Sequence, residues 1–430
     1  MQLNKLSTAL VVAGLAFSGS AFATNGYFSH GYGMKAKGMG GASTAVTGDT
    51  FGGANNPASM VWAGDRLDLG ADLFSPKRRD TSRTGSPAGV NGSQESEDNY
   101  FLVPEFGYNK MLRPNLSLGV TVYGNGGMNT DYPAGAYDCS AMMGLPPGSF
   151  KGNPLCGPTD LGVDLMQLMI APTLSYKVND KNSIGVSPLF GLQRFSAQGL
   201  QGFAVISSDP ANLTNRGNDY SHGYGVRVGW LGQLNDKVTL GAAYASKMSM
   251  SEFGKYKGLF AERGDFDIPA NWNVGIAVQA TPQVKLALDY QRINYSDIKS
   301  ISNSSQSTAG FLGNDGGPGF GWDDIGVWKL GMEYAYSKQL TLRAGWNHGE
   351  NPIQARDVTF NILAPGIVKN HLTLGFSYAM PSGGEWTVSY MHAFDESVTG
   401  ATNPTYFPVG GTDKIRMYQN SIGVAYSWKL

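Results

Sequence analysis

Two cysteines, five histidines and one Ser-His-Asp grouping are the residues whose chemistry stands out in this chain. Cys139 and Cys156 are its only cysteines. A thiol-exchange pair would more often be spaced Cys-x-x-Cys. Loop-like residues surround both, which fits a structural disulfide formed in an oxidising compartment better than two buried thiols. Closing so short a loop contributes on the order of 3 kcal/mol to its order. His30, His222, His348, His371 and His392 are scattered, without metal-ligand spacing. Ser389, His392 and Asp395 are neighbours along one stretch, but a catalytic triad is recognised by geometry, not by proximity in sequence. Gly124-Asn125-Gly126-Gly127 opens no helix and lacks a Lys-Ser/Thr ending, so it is no phosphate loop. These residues make no enzyme and call for no cofactor.

Lys5, the apolar run 10–17 and Ala21-Phe22-Ala23 have the form of a secretory signal peptide, assigned to residues 1–23. Beyond it there is no apolar run of the ~20 residues that a membrane helix needs. Membrane insertion must then be as a closed barrel, which satisfies its own backbone in lipid. The charged fraction is 15%, against roughly 25% in soluble domains. The 59 glycines, 21 tyrosines, 20 phenylalanines and 8 tryptophans suit strands with aromatic girdles. A net charge of −1 without a basic block argues against a nucleic-acid partner.

Segments of period-2 alternation recur to the C-terminus. Fourteen are predicted: 65–74, 99–110, 116–123, 166–177, 183–195, 220–234, 238–248, 268–280, 284–295, 327–336, 340–347, 368–379, 385–394 and 416–430. In the last, Tyr418, Ile422, Val424, Tyr426 and Trp428 lie on one side and Gln419, Ser421, Gly423 and Ser427 on the other. Asp68, Asp72, Glu105, Arg227 and Arg343 fall on polar faces that need water or ion pairing. Short connections alternate with seven of roughly twenty to forty residues, as in an outer-membrane barrel with short periplasmic turns. The expected fold is all-β: a 14-stranded antiparallel transmembrane barrel over 65–430. An even strand count closes it without an edge.

Residues 24–64 fit neither role. They are too broken by Gly and Pro for a long helix or a central strand, and too aromatic at the start for a linker. They are expected to form a plug inside the barrel. Asn56-Pro57-Ala58 closes that segment, with Asn56 tying down a local turn. Among the long loops, 124–164 carries both cysteines and is expected to hold a helical turn over 160–167. Phe203, Val205, Ile206, Phe253, Leu259 and Phe260 gather in two others, either packing on one another or taking up an apolar ligand.

Asn25-Gly26-Tyr27-Phe28, Lys37-Gly38-Met39-Gly40-Gly41-Ala42 and Asn56-Pro57-Ala58 resemble the start of the FadL/TodX outer-membrane transporters. Gln193-Arg194-Phe195-Ser196-Ala197, Leu340-Thr341-Leu342-Arg343-Ala344-Gly345 and Val388-Ser389-Tyr390-Met391-His392 are similar to later strands of that family. The chain departs by ending on Leu430 where such barrels generally end on Phe. The resemblance implies a monomeric protein of the bacterial outer membrane that passively takes up long-chain fatty acids or aromatic and aliphatic hydrocarbons. It implies capture at a groove between outer loops, here Phe203, Val205, Ile206, Phe253, Leu259 and Phe260. Ligand would then reach an apolar pocket lined by Tyr27 and Phe28. Plug movement and a gap at a kinked third strand would release it sideways among lipid or lipopolysaccharide. Arg194 is a candidate partner for a fatty-acid carboxylate; a structural ion pair facing the lumen is the other reading. A surface receptor or adhesin and a diffusion porin are the competing functions.

Overall fold

The alternation of apolar and polar residues sorts the chain into strands whose two faces need different surroundings, and a closed ring meets that demand. The computed structural model describes residues 24–381 and 383–430, without the side chain of Asp80; the signal-peptide assignment lies outside them. Fourteen long antiparallel strands form the ring: β1 (Arg66–Thr84), β2 (Phe101–Arg113), β3 (Leu116–Tyr132), β4 (Leu161–Lys177), β5 (Asn182–Gln198), β6 (Asp219–Asn235) and β7 (Val238–Ala245). The second half is β8 (Asn271–Gln279), β9 (Val284–Ile293), β10 (Ile325–Ala335), β11 (Leu340–Gly349), β12 (Asn370–Ala379), β13 (Gly384–Ala401) and β14 (Thr412–Lys429). Each pairs with its neighbours in sequence, and β14 pairs with β1 from Arg66↔Lys429 to Thr84↔Thr412, which closes the sheet.

Every predicted strand is present, and the faces divide as expected. On β9 Leu286 and Leu288 are exposed while Ala287 and Asp289 are buried. Asp68, Asp72, Glu105, Arg227 and Arg343 are all buried, pointing inward. Leu, Val, Trp and Tyr side chains on the outward face stay exposed from Leu69 on β1 to Trp428 on β14. Each of the fourteen strands has a paired neighbour on both sides over at least part of its length, so the ring has no edge strand. Among the described residues no helix is long and apolar enough to cross a membrane.

Strand ends depart from the prediction at the long-loop end of the ring. β1, β3, β13 and β14 run well past their expected limits, so the last connection shrinks to residues 402–411. Residues 160–167 form no helical turn; from Leu161 they are the start of β4, paired with the extension of β3. Gly124-Asn125-Gly126-Gly127 read as loop because it lacks alternation. It is a β-bulge, with a register shift between Gly124 and Gly126, and such bulges bend a strand while keeping it paired.

Residues 24–62 contact inward side chains on opposite sides of the ring. Asp68 of β1 accepts hydrogen bonds from the Thr50 backbone N–H (2.9 Å) and Oγ1 (2.6 Å). Across the ring, Asp289 of β9 accepts from Ser43 N, Thr44 N and Thr44 Oγ1 at 2.7–2.8 Å. Lys37 Nζ lies 2.7 Å from Asp72 and 3.9 Å from Glu105, all three buried. Charge-assisted bonds of this kind contribute roughly 1.5–3 kcal/mol each.

Asn56 closes this segment as the sequence suggests. Its Oδ1 accepts from Ala58 N, capping the short 3₁₀ helix Pro57–Trp62, while its Nδ2 donates to Thr44 O and to Trp230 O on β6. Gly185 and Gly229 on β5 and β6 leave the space that Pro57 and Asn56 occupy.

Candidate functional site

The ring is incomplete at one place. β2 pairs with β1 from Phe74↔Phe101 downward, but pairs with β3 only from Phe106↔Val122 downward. From Tyr123 to Tyr132, β3 therefore has β4 on one side and no β2 partner on the other. The bulge at Asn125 bends it there. On the inside, residues of the N-terminal segment take up the freed backbone: Ser29 N donates to Asn125 O (3.1 Å) and Gly127 N donates to Tyr27 O (3.2 Å). A side chain at Gly126 would overlap the Tyr27 carbonyl, so this approach depends on glycine.

Higher up, residues 96–98 of the first long connection stitch β1 to β3. Ser96 N donates to Arg78 O, Asp131 N to Ser96 Oγ, and Glu97 N to Asp131 O.

Behind the gap lies an apolar cavity. Its lining is Phe74, Pro76 and Arg78 from β1, Met128 and Asn129 from β3, Met417 from β14, and Trp322 with 364–366 from two long connections. Its free space is small, about 20 Å³, close to the volume that admits one water. The site is closed in this conformation. Trp322 joins it to Tyr27 and Phe28, because Tyr27 packs at 6.0 Å from Trp322, 5.4 Å from Tyr295 and 5.2 Å from Phe28. The Tyr295 hydroxyl donates to Asn25 O (2.6 Å) and accepts from Tyr27 N (3.2 Å), fixing the backbone of this aromatic cluster. Neither Trp322 nor 364–366 stood out in the sequence. Ala364-Pro365-Gly366 has no periodicity, and the Trp322 region reads as polar loop.

The loop residues expected to line a groove are not gathered into one. Phe253, Leu259 and Phe260 are buried, with Phe195 4.7 Å from Phe260 and 4.8 Å from Tyr256. Phe203 stacks on Phe360 and meets Tyr406 edge-on, within the same buried cluster. Ile206 is half-buried, and Val205 alone is open, at 81%. Of the two readings of these loops, mutual packing describes Phe203, Phe253, Leu259 and Phe260 in this conformation. Beside them Asp265 carries a carboxyl pushed up to about 7 by burial and by the adjacent Asp267. Asp267 is itself held by Lys247 (2.8 Å) and by Met250 N (2.7 Å).

Arg194 requires a correction. Gln193 and Phe195 point inward and are buried, so Arg194 between them points out of the ring. Its guanidinium lies 2.5 Å from Asp164, which is also on the outer face. It is an ion pair, as one reading held, but on the opposite face of the wall from any ligand in the bore.

Cys139 and Cys156 are bonded as expected. Ser389 points inward to Met34 while His392 points outward to Asn420, so alternation alone separates these two members of the Ser-His-Asp grouping. Among the described residues no cluster of His, Cys, Asp or Glu could hold a metal ion.

The family model described as outer membrane protein transport protein (OMPP1/FadL/TodX) matches residues 9–414. The chain belongs to this family. Its members are outer-membrane transport channels and not enzymes, which places this chain in the bacterial outer membrane as a multi-pass barrel. The Pseudomonas putida toluene transporter TodX superposes with a TM-score of 0.67 at 19% identity, over 93% of this chain and 99% of that one. A Pseudomonas aeruginosa FadL homologue gives 0.67 at 17% identity, over 94% and 99%. The Ralstonia pickettii toluene transporter TbuX gives 0.63 at 18%, over 93% and 99%. No curated protein sequence matches the chain.

Proposed function

We propose that this transporter carries hydrophobic compounds passively from the cell surface to the wall gap between β2 and β3, where they leave sideways into lipid. The observation that carries the proposal is the position of an apolar cavity directly behind unpaired wall backbone. A hydrophobe gains roughly 0.8 kcal/mol for each methylene it buries, so an exit into lipid avoids its release to water. Residues 24–64 act as the plug. Its first turn, with Tyr27 and Phe28, borders both the cavity and the bulge, so movement there opens the gap and enlarges the cavity together. Val205 and Ile206, at the surface of the outer loops, are the first contact, and Phe203, Phe253, Leu259 and Phe260 become ligand contacts as those loops part.

The test uses proteoliposomes holding the purified barrel. Saturable uptake of a labelled alkylbenzene or of oleate, with no swelling in sugars, is the expected result. Swelling in sugars without uptake of either probe would make the chain a diffusion porin and end this reading.

A further inference from the structure

Trp428 and Tyr418 stand ten residues apart on the outward face of β14. At ~3.4 Å per residue and the usual strand tilt, that separation spans roughly 25 Å, the height of the apolar band of an outer-membrane barrel. Tyr418 therefore marks the rim of the band at the long-loop end. Cations collect there on β1 and β14. Lys77 lies opposite Tyr418, and Arg79 opposite Arg416. Lys414 follows two residues beyond Arg416 on the same face. Tyrosines hold two of these cations in place. Lys77 Nζ sits 4.4 Å from the centre of the exposed Tyr100 ring, and the Arg79 guanidinium 4.9 Å from that of Tyr418. Arg79 Nη2 also donates to the Tyr418 hydroxyl (3.1 Å). Among the described residues neither Lys77 nor Arg79 forms an ion pair. Asp395 answers Arg416 at 2.8 Å. Arg79 and Arg416 face each other directly across the β1–β14 ladder, where like charges repel, so an anion seated between them relieves both. The far flank of the wall gap carries the other sign. Its cleft beside β3 and β4 is lined by Asp98, Asp131 and Asp164, with Arg194 paired to Asp164.

We infer that the outward face formed by Lys77, Arg79 and Arg416 binds the phosphate of a glycolipid in the outer leaflet. The phosphate rides at the height of these three heads, while the acyl chains lie along Leu73 and Ile422 below, both exposed. Guanidinium and ammonium groups take phosphate through charge-assisted hydrogen bonds. Tyr100 and Tyr418 fix Lys77 and Arg79 against the wall before the lipid arrives, which lowers the cost of ordering them. The acidic flank at β3 and β4 repels the same headgroup. The glycolipid is therefore parked on the β1 side of the gap, and the gap itself faces acyl chains.

The test is native mass spectrometry of the purified barrel in neutral detergent. The probes are diphosphorylated lipid A, its dephosphorylated form, phosphatidylglycerol and inorganic phosphate. Wild type should bind diphosphorylated lipid A about tenfold or more tightly than the dephosphorylated form. Lys77→Gln combined with Arg79→Gln should remove most of that difference and leave the dephosphorylated lipid within about twofold. Tyr418→Leu keeps every charge but frees the Arg79 head, so it should give part of the same loss if the double variant fails to fold. Heat-modifiable migration should be unchanged in each, because the altered side chains lie outside the bore. Lys181→Gln with Lys338→Gln, two exposed lysines at the short-turn end, should bind as wild type does. Equal loss in that pair would mean bulk charge alone and overturn the assignment. So would equal binding of both lipid A forms by wild type, or no loss in the variants. Phosphatidylglycerol bound as tightly as lipid A would make the face a general anionic-lipid surface. Displacement of lipid A by millimolar inorganic phosphate would make it a free-anion site, and either result ends the glycolipid reading.

Discussion

Lys37 of the N-terminal segment and Asp72 of β1 form an ion pair 2.7 Å apart, with side chains only 4% and 2% exposed. The pair joins a segment that no strand includes to the wall that surrounds it, and Glu105 completes the group at 3.9 Å. Removing one partner from a buried pair leaves a charge uncompensated and costs about 3–5 kcal/mol. Lys37→Met should therefore free the segment without unfolding the ring, whose own ladder is untouched. Heat-modifiable migration should stay as in wild type, while cells carrying the variant become leaky to a small hydrophobic dye. A variant as tight as wild type would show that the pair does not hold the segment.

Asn56→Ala removes the cap on Ala58 N and the two donations to Thr44 O and Trp230 O. Leaving buried groups unpaired costs roughly 1–3 kcal/mol each. Uptake of an alkylbenzene should rise, as with Lys37→Met, while the folded barrel persists. Unchanged uptake would count against gating by this segment.

Asp265 supplies a pH dependence in the outer loops. Its carboxyl is raised to about 7 in the folded loop, above its unfolded value near 3.9. The folded loop therefore binds the proton more tightly, and protonation stabilises it. That contribution is fully present below about pH 4 and is lost as pH rises through about 7. Hydrogen exchange over 260–268, corrected for intrinsic rates, should show protection falling across this window in wild type. Asp265→Asn should flatten it.

The Cys139–Cys156 bond closes the loop that carries the short 3₁₀ helix Ser140–Met143. Unreduced tryptic peptides should show the two cysteines linked by mass spectrometry. Replacing both by Ser should remove on the order of 3 kcal/mol of local order, read as faster proteolysis between 139 and 156 with the barrel core intact. Free thiols in the wild-type peptides would discard the bond.

The fold was legible in the sequence because a strand with lipid on one side and a polar interior on the other must alternate. β9 shows this with Leu286 and Leu288 against Asp289. The limits of β1, β3, β13 and β14 were not legible, because above the bilayer the outward face no longer has to be apolar and the alternation fades. The cavity was least legible of all. Phe74, Met128, Trp322 and Met417 come from four distant stretches, and Arg78 reads as one of several charges near a strand end until its neighbours are placed. Arg194 misled for a related reason. A single step of register decides whether a cation faces ligand or lipid, and the bracketing of Arg194 by Gln193 and Phe195 gives the answer only once the inward face is fixed.

The pairing of β14 with β1 has a consequence for the N-terminal segment. The two strands of this seam lie far apart in sequence, at 66–84 and 412–429, so closing the cylinder joins the most distant parts of the ring. Residues 24–62, joined directly to β1, hold carboxylates on β1 and, across the ring, on β9, so the closed seam surrounds them with wall on every side.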